Sequence, residues 1–204
     1  MAQVARREYE PAEETVRVVR DDVTGSAFLL ARTTTWLAAI VTTRGRLGDA
    51  GDYWETGATL EEESGMVVEA IRDLALGITG AALARGAGGP QALNALLERY
   101  PLDQLDPVER PYLDLAVAYA VTGDPAAARR LVDEFDRTAP DDHRRGLRYQ
   151  YHSVLGEIAL RDNAAPVWQD ELNSGRLKWK KLSDSSQGEV SLFEITDFLL
   201  KQSS

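Results

Sequence analysis

The chain has 204 residues, enough for one domain or for a short helical array with a continuous core. Its net charge of −10 argues against a duplex nucleic-acid binder, whose phosphate contacts demand a basic face. With no cysteine, disulfides, thiolate metal sites and thiol nucleophiles are excluded.

A hydrophobic content of 44% and a charged content of 27% are ordinary for a soluble globular protein. Apolar-leaning stretches are broken by charge well before about 18 residues, so no membrane span is expected. Met1 to Arg20 carry charge throughout and lack the apolar centre of a secretory signal, which makes the cytoplasm the expected compartment.

The first segment, 1–25, predicts a short helix from Glu10 to Asp22. Pro11 suits its first turn, Glu13 and Glu14 sit near the favourable end of the dipole, and Gly25 stops it. A helix pair then spans Ser26 to Gly65. Gly45 turns the chain, Ala50 supplies a small residue five positions later, and Trp36 and Trp54 read as core aromatics. Gly51 and Gly57 fall inside the second helix and should weaken it by up to ~1 kcal/mol each relative to Ala. A third pair runs from Met66 to Tyr100 through the long turn Arg85–Pro90, and Pro90 opens a short helix bearing Ala92, Leu93, Leu96 and Leu97. Two prolines, Pro101 and Pro107, bound a loop.

The clearest unit lies between Tyr112 and Pro140. Tyr112, Leu115, Ala116, Tyr119, Gly123, Ala128, Val132, Phe135 and Pro140 space two antiparallel helices. The small Ala116 and Ala128 permit close approach, aromatic and branched residues fill the seam, Gly123 makes the turn, and Pro140 ends the second helix. A further first helix is expected from Arg144 to Arg161, after which the pattern fails at Trp168. His152 occupies the slot of Tyr112 and reads as a packed core histidine. His143 sits in an expected polar turn, Asp141–Arg145, with Asp141 or Asp142 capping the helix.

Taken together, these spacings over 26–161 resemble the tetratricopeptide repeat, a helical hairpin of about 34 residues that buries its apolar face only against neighbours. Segments such as Pro111–Ala116 and Leu155–Leu160 look like tetratricopeptide tails of bacterial signalling proteins. The resemblance implies an all-α solenoid of helix pairs, 26–165, closed by a divergent C-terminal helical cap, 166–204. It also implies a protein or peptide partner held on the concave face lined by each unit's first helix. That face maps onto Arg32, Thr35, Ala39 and Thr43; onto Arg110, Leu113, Val117 and Val121; and onto Gln150, Ser153, Glu157 and Arg161. The lysine–asparagine clamp of chaperone-binding relatives is missing, since Thr35 and Ala39 stand there. A solvated or self-covered face is the competing reading.

The tail differs in composition: its four lysines are the only ones in the chain, and serine crowds it. Ser183, Ser185, Gln187, Glu189, Ser191 and Glu194 fall at EF-hand ligand positions around Gly188 and resemble a degenerate calcium loop. Among the side-chain ligand positions only Glu194 is ionised. The same residues form a capping box, Ser191 with Glu194, before an amphipathic helix. Arg176–Lys181 mixes cations with Trp179, as a basic helix face or a nucleic-acid contact does. No nucleophile–base order, phosphate loop or His-x-x-x-His pair occurs, so the expectation is a non-enzymatic binding module without cofactor. The alternatives are a ligand-free scaffold of fused origin and a weakly calcium-responsive tail.

Overall fold

The computed structural model describes residues 8–161, apart from Thr24 and Ala87. Its regular structure is helical, and no strand occurs among the described residues. These residues form two compact units, 8–85 and 86–161. The expected cap, 166–204, lies outside the described residues, and with it the candidate calcium loop and the basic run at 176–181.

The first unit comprises α1 (Tyr9–Asp22), α2 (Ala27–Thr43), α3 (Leu47–Glu63) and α4 (Val67–Arg85), each packed against the next. Ser26 starts α2 by accepting the Leu29 N–H at 3.3 Å, which satisfies one of the donors that a helix start leaves open. Gly45 turns α2 into α3 at φ +75°, a left-handed conformation that side chains rarely adopt. Ala38, Val41, Ala50 and Trp54 then close the seam, and the Trp54 indole donates to the Thr42 hydroxyl at 3.2 Å. Gly57 is more than a weak point. A Cβ there would stand 3.1 Å from the Thr35 hydroxyl, and one on Gly77 would stand 3.0 Å from the Trp54 Cβ. These two glycines let α3 approach α2 and α4 closely; Gly51, by contrast, faces open space.

Docking of α1 on α2 combines an apolar cluster with buried charge. Ala12, Val16, Leu37 and Ile40 form the cluster. Beside it the buried Glu13 carboxylate pairs with Arg17, Arg44 and Arg46, the last at 3.2 Å. Burial pushes this carboxyl up, but the hydrogen bond from Arg44 and the charges of Arg17, Arg46 and Arg44 outweigh it and hold Glu13 below its ordinary value.

The second unit holds α5 (Gly89–Arg99), a 3-10 turn at Leu102–Gln104, α6 (Tyr112–Thr122), α7 (Pro125–Thr138), α8 (Asp141–Gly146) and α9 (Arg148–Arg161). The α6–α7 hairpin follows the spacing. Gly123 ends α6 at φ +101°, Asp124 caps α7 by accepting the Ala127 N–H at 2.8 Å, and Pro125 opens the helix. Ala116 and Ala128 are fully buried, with Tyr112, Leu115, Tyr119, Val132 and Phe135 buried around them. Enclosing Leu115 and Phe135 stabilises the hairpin by about 2–3 kcal/mol each. Neighbouring helices are pinned to α6 by polar contacts: the Tyr119 hydroxyl donates to the side-chain Oδ1 of Asn94 on α5 at 2.7 Å, and the Gln150 side-chain amide of α9 donates to Asp114 at 2.7 Å.

Five expectations change. The pair at 66–100 is divided, because α4 belongs to the first unit and α5 to the second. The helix expected from Arg144 to Arg161 is interrupted at Leu147, between α8 and α9, and the supposed polar turn at Asp141–Arg145 is α8 itself. There Pro140 is the residue before the helix, so Asp141 and Asp142 lie in its first turn rather than capping it. His152 is half-buried rather than enclosed.

Candidate functional site

Of the residues assigned to a concave face, few are open. On α2, Arg32 is exposed, Ala39 is half-buried, and Thr43 returns its hydroxyl to the Ala39 carbonyl at 2.8 Å. Arg110 precedes α6 and clasps the loop before it. Its guanidinium donates to the Leu105 carbonyl at 3.0 Å and to the Tyr112 hydroxyl at 3.0 Å. Val117 is half-buried, whereas Leu113 and Val121 are buried. On α9, Gln150 is engaged with Asp114, Ser153 is buried, Glu157 is 1% exposed, and only Arg161 is open. Leu113, Val121, Ser153 and Glu157 therefore do not line an open groove. The cause lies in packing: α9 lies against α6, so positions at that seam become interior. Glu157 has neither carboxyl oxygen hydrogen-bonded, and burial raises its affinity for a proton despite the charge of Arg161.

Thr35 leads inward as well. Its hydroxyl donates to Asp73 of α4 at 2.7 Å, next to Glu61 of α3, whose Oε2 is buried with no hydrogen-bond partner. Burial, reinforced by the charges of Asp73 and Glu69, pushes the Glu61 carboxyl up to about 8, against the smaller pull of Arg32 and Thr35. Burial likewise raises Asp73 to about 6, opposed by the Thr35 hydrogen bond and Arg32. Since Thr35 and Arg32 favour charge on Asp73 while Glu61 has an unmatched oxygen, the proton of the pair belongs on Glu61. The pair is buried between α2, α3 and α4. The pattern Ala50, Trp54, Gly57, Ala58 continues on a helical period to Glu61, so its burial was readable. The partnership with Asp73 was not, because it depends on how α4 docks.

The open apolar surface lies elsewhere on α2. Phe28 is 53% exposed, Leu29 48% and Trp36 37%. Trp36 is thus no core aromatic, while Trp54 is. Phe28, Arg32 and Trp36 follow one another at four-residue steps with Leu29 alongside, a single stripe with a cation at its middle. On α1, Val18 and Val19 are also exposed. Large apolar side chains gathered on one helix face mark interaction surfaces more than scattered ones do.

Among the described residues, no group of three or more His, Asp or Glu side chains gathers to hold a metal ion. No described helix is long and apolar enough to cross a membrane. No protein-family model, curated protein or solved structure matches the chain.

Proposed function

We propose that the chain is a non-catalytic protein-binding module of the cytoplasm, built as a tetratricopeptide-like stack of hairpins. It takes an apolar peptide or partner helix carrying an acidic residue. The supporting observation is the α2 stripe, where Phe28, Leu29 and Trp36 offer apolar contact and Arg32 offers a charge-assisted hydrogen bond. Close-packed hairpins at α2–α3 and α6–α7 support the repeat reading.

This places binding on a different part of α2 from the expected concave set, with Arg32 common to both. Affinity capture with the wild-type chain, alongside Phe28→Glu with Trp36→Glu, tests it. The expected result is a partner retained by the wild type and lost from the double variant at unchanged melting temperature, because both side chains are already partly in water. Equal retention by both chains refutes the assignment.

A further inference from the structure

In the second unit, α7, α8 and α9 border an open cleft of about 430 Å³ lined by Phe135, Asp136, Asp141, Arg144, Arg145, Arg148, Tyr151 and His152. Its two acids are already engaged. The Tyr151 hydroxyl donates to Asp136 at 2.8 Å, and Arg144 pairs with Asp141 while also donating to the Asp136 carbonyl. Arg148 directs its Nε–H at His152 Nε2, 3.4 Å away. Neither Arg145 nor Arg148 pairs with an acid among the described residues, and both are exposed. With three guanidiniums against two carboxylates among its lining residues, the cleft carries a net positive charge on a protein whose net charge is −10.

Arg145 and Arg148 stand three residues apart across the interruption at Leu147, a spacing that sets side chains side by side. Arg145 lies in the last turn of α8 and Arg148 is the first residue of α9, and both line the one cavity. Aromatic side chains form the apolar part of the wall, Phe135 lying 6.2 Å from Tyr151 between ring centres. Fork-shaped donors beside a ring suit a planar or tetrahedral oxyanion on an apolar stem.

We infer that this cleft is an anion-binding site, in which Arg145 and Arg148 clamp a phosphate or carboxylate whose aromatic or aliphatic stem lies against Phe135 and Tyr151. The site goes beyond the helix-binding face on α2, shares no residue with it, and stands or falls separately.

The test is calorimetric titration of the full chain with phenyl phosphate, benzoate, inorganic phosphate and, as the uncharged control, benzyl alcohol. Phenyl phosphate or benzoate is expected to bind more tightly than inorganic phosphate, and benzyl alcohol not to bind. The tighter of the two aromatic anions identifies a phosphate or a carboxylate source. R145Q with R148Q should weaken the anion at least about tenfold without a change in melting temperature, as expected for loss of charge-assisted contacts. R85Q with R130Q, which removes the same charge elsewhere, should bind as the wild type does. Absence of binding by either aromatic anion, binding undiminished in R145Q with R148Q, or equal loss in the charge-matched control overturns the inference.

Discussion

Replacing Glu61 by Gln should stabilise the protein at neutral pH and leave it almost unchanged in acid. In the folded chain this carboxyl keeps its proton up to about 8, against an ordinary value of 4.5. Between those values the unfolded chain releases a proton that the folded chain retains, so stability falls as pH rises. The contribution is complete below the ordinary value and is lost as pH rises through the folded one. At about 1.4 kcal/mol per unit, the loss between the ordinary value and pH 7 is at most about 3.5 kcal/mol. Gln matches the shape of the protonated acid and cannot ionise, so Glu61→Gln should recover roughly 2–3 kcal/mol at pH 7. Near pH 4 its effect should fall within about 0.5 kcal/mol of zero. Urea unfolding followed by circular dichroism at several pH values measures the difference directly. An effect of Glu61→Gln that is the same from pH 4 to 8, or a variant destabilised at pH 7, would refute the proton-holding account.

Two further outcomes follow from the same first unit. Glu13→Ala leaves three guanidiniums facing one another and should cost about 1–3 kcal/mol at pH 7 in thermal denaturation. Because the folded value of Glu13 is depressed, its contribution is complete above the ordinary carboxylate value and fades as pH falls through the folded one. The variant and wild type should therefore converge as pH falls below the ordinary carboxylate value, and a constant gap would count against the ion cluster. Gly77→Ala should lower stability by about 1–3 kcal/mol, since its Cβ would press on Trp54. Gly51→Ala, with open space around it, should raise stability by up to ~1 kcal/mol. Equal melting-temperature shifts for the two alanine variants would show that helix propensity, not contact, governs both positions.

The hairpin between Tyr112 and Pro140 was legible because its spacing, its turn glycine and its small residues all act within about 30 residues. Helix ends were readable for the same local reason: Ser26, Gly45, Gly123 and Pro125 do their work through the adjacent backbone. The candidate site was harder. Helical periodicity identifies a stripe but not which neighbour covers it, so Leu113 and Glu157 were assigned to a groove that α6 and α9 close against each other. Trp36 failed in the opposite direction, since large aromatic size favours the interior only where a partner helix stands opposite. The interruption at Leu147 between α8 and α9 was not legible, since that residue's identity carries no break signal.

Gly57 and Gly77 also constrain how this chain can vary. No amino acid is smaller than glycine, so every replacement at either position adds bulk to a contact that has none to spare. Relief must come from the facing residues, Thr35 or Trp54, or from the helices moving apart. Sequence drift along these two interfaces thus has a one-way character: separation can grow, but a swap at positions 57 or 77 has no means of shrinking it.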